Sequence, residues 1–357
     1  MMNLFSDDKI INISPMRVSA QQMVEGIQHR RRRRAQMLFN HYEIETMVPE
    51  DHILRQFKEW LLVEGVADDR EELKKSLGRE GYGYETGLRA LFLQFWGDHS
   101  DREMEEQLRY NIAYKWFCGF SLEAQTPDHS FFGRTRKNLG EKRISVLFTK
   151  IVDQAKLKKI IKKLESFVDA SAIKRKEALW EERDKAKEEE EKLNNRNVEK
   201  FSADKEARWG CKREGKYWFG YKRHVSVDTG SGLIEAVAVT RANVNDDDGF
   251  KLVCPWEKRI LADKGYNTWK VYGVMKRRRC KDGVLRQVTR RNYDERRNKY
   301  FSCRRAPFER VFSKMSRRTR YMGVKKTYLQ ALFEGIVHNL KRLAVLEGIR
   351  PPVMGLA

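Results

Sequence analysis

Three carboxylates, Asp169, Asp263 and Glu309, stand where the neighbouring residues would fix their direction. Asp169 lies inside a short apolar run, Phe167-Val168-Asp169-Ala170, that reads as a strand. Asp263 closes a second run, Arg259-Ile260-Leu261-Ala262. Glu309 follows Pro307, a residue suited to the first helical position, so its carboxylate falls in a first turn, where the helix dipole favours an anion. Strand ends beneath a covering helix bring such groups together, and they then repel one another. Two divalent cations, typically about 3.5–4 Å apart, offset that repulsion and bind the attacking and leaving oxygens of a phosphodiester. Hard oxygen ligands select magnesium, with manganese able to substitute, over zinc. A chain with 51 Asp and Glu offers many triples. What singles this one out is its place at strand ends, with Asp263 and Glu309 in a segment where acids are scarce.

That segment is strongly basic. From Lys258 to Arg350 there are 27 Lys and Arg against 7 Asp and Glu, a local excess of +20 out of +22 for the whole chain. Each cation set against a phosphate releases a condensed counterion, so the expected partner is a polyanion, double-stranded nucleic acid first. No apolar run reaches the roughly 18–20 residues of a membrane span, and no secretory leader opens the chain. The five cysteines, Cys118, Cys211, Cys254, Cys280 and Cys303, lack metal-ligand or disulfide-framework spacing and read as reduced cytoplasmic thiols.

The elements that must position the carboxylates follow from periodicity. Residues 1–34 form a basic arm ending in the run Arg30–Arg34, read either as a phosphate or minor-groove grip or as a solvated helix start. Residues 35–162 are helical: Ile53, Phe57, Trp60 and Leu61 form one stripe, and Leu88, Leu91, Phe92, Phe95 and Trp96 another closed by Gly97. Ser100 with Glu103 predicts a capping box, and Thr126-Pro127 a helix start. The period changes at Phe167, opening a second domain over 163–345, with a tail at 346–357. Tyr217 to Asp228 alternates, Thr229–Gly232 turns, and Leu233 to Thr240 returns as a hairpin strand. Arg259–Ala262 is a fourth strand, and Val271–Met275 a fifth. Phe308, Val311, Phe312 and Met315 give one helix, and Leu329 to Leu340 another. The expected fold is therefore α+β: a mixed five-stranded sheet flanked by helices, behind an all-helical N-terminal domain. An insertion at about 172–216 interrupts it. Fifteen of the 19 residues in Lys174–Lys192 are charged, which reads as a solvated helix without an apolar face, or as a contact to DNA or a second subunit.

Several blocks carry a resemblance. Phe167–Ser171, Ala262-Asp263-Lys264-Gly265-Tyr266 and Arg304-Arg305-Ala306-Pro307-Phe308-Glu309-Arg310-Val311-Phe312 resemble the three carboxylate blocks of the DDE transposases of bacterial insertion sequences, in the group of insertion sequence five. Ala207–Gly210, Phe219–His224 and Thr240–Val244 are similar to blocks between them. Gly81–Tyr84, Leu88–Leu91, Ser100–Glu103, Trp116–Gly119 and Pro127–Ser130 follow the N-terminal domain of the same group. The likeness spans roughly residues 45–345. It departs from the pattern at Ser316, where the family often has lysine, with Arg317 next to it, and at Ser302, where a tyrosine is expected and Tyr300 lies two residues earlier.

The resemblance implies an RNase H-like catalytic domain working with two magnesium ions held by Asp169, Asp263 and Glu309. Such an enzyme binds terminal inverted repeats, hydrolyses the element's ends and joins the freed 3′-hydroxyl to target DNA without a covalent enzyme intermediate. A homodimer or larger assembly on DNA, in the cytoplasm and on the nucleoid, is the expected form. Arg305, Arg317, Arg320, Lys314, Arg290 and Arg291 are the expected DNA contacts. Lys222 and His224 share a polar strand face and either reach the scissile region or are ordinary surface residues. Trp209 and Trp218 stack on an unpaired base or pack in the core. Glu295, in a polar stretch read as a loop, and Glu334, read as a solvated helix flank, are the rivals to Glu309. Two alternatives are a silent DNA-binding relic acting as a repressor, and another RNase H-like nuclease.

Overall fold

The computed structural model describes residues 44–61, 82–162, 164–176, 180–189, 191–287 and 292–348. The arginine run 30–34, Arg290 and Arg291 lie outside the described residues.

Among the described residues the helices α1 (Ile53–Trp60), α2 (Tyr84–Trp96), α3 (Asp101–Tyr110), α4 (Ile112–Cys118) and α5 (His129–Leu157) precede the sheet. Their ends are set by local chemistry. Ser100 and Glu103 form the reciprocal capping box, and Gly97 closes α2. Asn111 ends α3 and its side chain caps α4. The helix expected at Pro127 begins two residues later, because the Asp128 carboxylate accepts the Ser130 and Phe131 N–H groups and so serves as the cap. Gly140, at φ 65°, breaks α5 into two helical pieces.

The sheet has six strands: β1 (Glu165–Lys174), β2 (Arg208–Arg213), β3 (Lys216–Asp228), β4 (Ile234–Arg241), β5 (Arg259–Ala262) and β6 (Lys281–Val284). They run in the order β2-β3-β1-β5-β6, with β4 also paired to β3. β3 is antiparallel to β1, β2 and β4, whereas β1–β5 and β5–β6 are parallel. The remaining helices are α6 (Trp180–Glu188), α7 (Val198–Phe201), α8 (Asp246–Val253), α9 (Trp269–Arg277), α10 (Asn292–Arg305), α11 (Arg310–Ser313) and α12 (Val324–Leu346).

Several local expectations are corrected. Val271–Met275 is not a strand: it lies within α9, capped by Thr268, and buries Val271, Val274 and Met275 at helical spacing. The missing strand is β6, Lys-Asp-Gly-Val, too short and polar to show in a pattern. β2 lies in the stretch taken as insertion and joins β3 through Glu214-Gly215, with Gly215 at φ 74°. The charged insertion does bury a face. Ala186 clusters with Leu193 and Phe201, and a buried Arg175–Glu182 ion pair at 2.7 Å ties α6 to the end of β1. The stretch expected as a loop around Glu295 is helical, part of α10, where Arg297 lies over Phe301 at 4.8 Å. The single helix expected from Phe308 to Met315 is a 3-10 turn, Ala306–Glu309, followed by the one-turn α11.

α12 joins the two halves. Phe333 stacks on Phe95 of α2 with ring centroids 4.9 Å apart, and Gly335 lets Phe148 of α5 pack closely. One hydrophobic cluster therefore runs from the N-terminal helices to Phe167, Val225 and Val227 on one face of the sheet. A second, around Val168, Phe250, Ile260, Tyr266 and Val271, fills the other face beneath α8 and α9.

Candidate active site

The site lies where β5 stops and β1 continues. The two strands pair in parallel only up to Phe167–Leu261. Asp169 and Asp263 each lie two residues beyond that pair and thus on the same face as Phe167. Asp263 leaves the sheet there: its carboxylate accepts the Lys264 N–H at 2.7 Å and its carbonyl the Tyr266 N–H at 3.0 Å, turning the chain into a 3-10 turn. Asp169 stays in β1 opposite Val225 and accepts the Ala170 N–H at 2.8 Å.

Glu309 reaches the same face from α10 and the 3-10 turn. Phe308 and Phe312 pack on Phe167, each ring centroid 6.3 Å away. Arg304 is bound to Glu165 at 2.6 Å, clamping the end of α10 to the start of β1. Arg305 lies over the Phe167 ring at 5.9 Å and pairs with Glu309 at 2.8 Å. The Glu309 side chain is about half exposed and turned toward this arginine. Among the described residues no three His, Cys, Asp or Glu side chains converge as a ready metal-binding set.

The electrostatics are lopsided. Burial pushes the Asp169 carboxyl up to about 6; the Ala170 N–H and the Arg305 charge oppose this, while the charges of Asp263 and Asp246 add to it. The Tyr266 hydroxyl is 2% exposed, has no hydrogen-bond partner and feels Asp169, Asp246 and Asp263, so burial and those charges hold it well above the usual phenol range. Asp169 and Asp263 are hard oxygen donors in a locally negative setting, the ligand type a divalent cation takes. Asp169 and Asp263 would hold it, with Glu309 supplied once Arg305 lets go.

The expected DNA contacts fall into different settings. Arg317 and Lys314 are exposed. The backbone of 317–319 runs beside the end of β1, with the Arg317 carbonyl accepting the Lys174 N–H at 2.8 Å. Arg320 instead binds Asp98 and the His99 carbonyl, and acts as a tie to the N-terminal helices. His224 is not an open surface residue: it is 1% exposed, lies beneath Gly249 of α8, and its Nε2 is 2.9 Å from the Thr240 hydroxyl. Lys222 shares that face and is held by the Val244 carbonyl and Asp246. Trp209 packs on Phe219 at 5.3 Å, and the Trp218 Nε1 donates to the Tyr221 carbonyl. Glu334 is not a solvated flank: its side chain is mostly buried and pairs with the buried Arg223 at 2.7 Å.

Sequence reasoning missed Asp246 and Tyr266. The signal for Asp246 was available in Asn245 followed by three aspartates opening a helix. Tyr266 was hidden because an aromatic residue beside Asp263 reads as core.

Comparison with known proteins agrees with this picture. A family model described as "Transposase domain (DUF772)" matches residues 42–138, and one described as "Transposase DDE domain" matches residues 161–340. The chain is 30% identical over 155 residues to a transposase for insertion sequence element IS1106 from Neisseria meningitidis serogroup B. That match covers 40% of this chain and 53% of the relative, so the chain spans about half the length of the curated relative it matches. No solved structure matches. The second family model covers half of the chain and contains the mixed sheet, both aspartates and the glutamate, and the chain belongs to the DDE transposase domain family.

Proposed function

We propose that this protein is a DNA transposase that binds the terminal inverted repeats of an insertion sequence, cuts the element's ends and joins the resulting 3′-hydroxyl to target DNA. The observation that carries the reading is the placement of Asp169 and Asp263 level with one another, on one face, where β1 outruns β5. Two divalent cations bound there, magnesium by preference, would neutralise the carboxylates and polarise the scissile phosphate and its nucleophile. Asp169, the more buried of the two aspartates, and Asp263, at the rim, would hold a cation. Glu309 would complete the set once freed from Arg305. Arg305, once released, is placed to meet a DNA phosphate, as are the exposed Arg317 and Lys314. A homodimer or larger assembly on paired ends is the form we propose for the DNA complex.

The test is a cleavage and joining assay on DNA carrying the element's ends. Activity is expected with magnesium or manganese and none with EDTA. Asp169→Asn and Asp263→Asn should abolish cutting while DNA binding remains. Glu309→Gln should do the same, whereas Glu295→Gln, on exposed α10, should stay within a fewfold of wild type. A wild-type protein that binds the ends yet never cuts them would favour a repressor instead. A Glu309→Gln protein that still cuts, beside a dead Glu295→Gln protein, would reassign the third acid.

A further inference from the structure

α8 approaches the site from the face of the sheet opposite Asp169. Gly249 places it there: a Cβ at that position would come within 2.1 Å of the His224 ring, so only glycine lets the helix lie on β3. This brings Asp246, in the first turn of α8, beside Lys222, whose Nζ is 2.8 Å from Asp246 Oδ1 and 2.7 Å from the Val244 carbonyl. The Lys222–Asp246 contact lacks hydrogen-bond geometry, so Asp246 Oδ1 is held by charge alone. Besides Oδ1 of Asp246 and of Asp247, the Tyr266 hydroxyl and His224 Nδ1, in residues 2% and 1% exposed, are buried near α8 without a hydrogen-bond partner. His224 and Tyr266 both feel the Asp246 charge, and Tyr266 feels Asp169 and Asp263 as well. Tyr266 therefore lies among three aspartates that approach from two faces of the sheet.

We propose that Asp246 is a fourth carboxylate of the site, acting on its cations from the far face of the sheet, and that Lys222 is the counter-ion that offsets its charge. The inference rests on the metal-dependent reading above. In the cation-free protein Lys222 neutralises Asp246. Asp246 would attract a cation held by Asp169 and Asp263 across the Tyr266 layer, without being a direct ligand.

An ion pair with a purely structural role gives the same sign of effect whichever partner is removed. The proposed role gives opposite signs. Manganese binding to the purified full chain, without DNA, can be followed by the loss of the free-ion paramagnetic resonance signal. Asp246→Asn should weaken manganese binding and Lys222→Met should tighten it, each by about tenfold, the size of one charge interaction near a protein surface. The double variant should return close to wild type. Neutralising Arg109, whose pair with Glu105 lies on exposed α3, sets the background for remote charge removal. Shifts in the same direction, or shifts no larger than that of Arg109→Gln, overturn the proposal. Should Asp246→Asn fail to fold, Lys222→Met alone decides, since only tightening supports it. Wild-type protein without saturable binding, or Asp169→Asn binding as well as wild type, would remove the metal reading and this inference together. Loss of binding in Asp169→Asn with no opposite shifts at 246 and 222 would remove this inference only.

Discussion

The first end of β1 and its middle, where the pairing with β5 stops, both carry buried acid, and they treat it differently. At the first end Glu165 is bound by Arg259 at 3.2 Å and Arg304 at 2.6 Å, while Asp228 and Glu235 share Lys258 at 2.8 and 2.9 Å. Ser231 gives Asp228 two further hydrogen bonds, and Ser166 donates to Glu235 at 2.5 Å. Every carboxylate there has a fixed cation. Four residues along the same strand, Asp169 has Asp263 and Asp246 for neighbours, and the one arginine in reach is shared with Glu309. Buried charge is tolerated where it is paired and hydrogen-bonded, so the first end is structural. The middle of the strand keeps an unbalanced negative charge that a bound cation would relieve, and such imbalance marks a functional site more sharply than any single residue type does.

The comparison breaks most readily at the balanced end. Lys258 is the only cation within ion-pair distance of Asp228 and Glu235 among the described residues, so Lys258→Met should leave two buried carboxylates uncompensated and cost about 3–5 kcal/mol of unfolding free energy. Urea denaturation at pH 7 measures this. A loss under about 1 kcal/mol would mean that the network is not what permits acid at that end.

The next effect concerns His224. Burial lowers its pKa to about 4, below the 6.5 of an ordinary histidine, with Lys222 acting the same way and Asp246 opposing. The unfolded chain therefore binds the proton more readily than the folded one. Stability owed to the neutral ring is present above pH 6.5 and is lost as pH falls through 6.5 toward 4, by about 3 kcal/mol in all. His224→Gln should flatten that part of the stability–pH curve while leaving the pH 8 value within about 1–2 kcal/mol. A curve unchanged in shape would show that His224 is not held neutral.

Much of this was legible in the residues. The strands that carry or precede Asp169 and Asp263, and the hairpin between them, announce themselves through apolar runs of the right period, because strands buried on one or both faces must show that pattern. The capping box at Ser100 did likewise. What stayed hidden had tertiary causes. β6 is an edge strand whose Lys281 and Asp282 carry no period, and it forms because β5 offers a free edge. α9 was misread because Val271, Val274 and Met275 fit a short strand as well as a helix until α8 supplies a surface. Glu334 looked solvated because its burial depends on Arg223, more than a hundred residues away in sequence. Asp246 opens a short helix, and its neighbourhood with Lys222 comes only through the packing of α8 on β3.

The smallest effect sharpens the unbalanced middle itself. Asp169 is mostly buried and stands beside two other aspartates, and burial is the leading cause of its raised pKa. Replacing the carboxylate by a neutral amide removes a buried charge and two repulsions. The oxygen of that amide can still accept the Ala170 N–H. Set against this is the lost attraction to Arg305, which keeps Glu309 as its partner. The balance favours the amide, so in a chelator at pH 8 Asp169→Asn should be more stable than wild type by about 1–2 kcal/mol. Asp263 is exposed, and Asp263→Asn should stay within about 0.5 kcal/mol of wild type. Adding magnesium should raise the wild-type midpoint and leave the Asp169→Asn midpoint where it was, because only the wild type regains stability by binding the cation. Urea midpoints with and without magnesium provide all of these values. An Asp169→Asn protein less stable than wild type in the chelator would show that the acids of this stretch are as well balanced as those around Lys258.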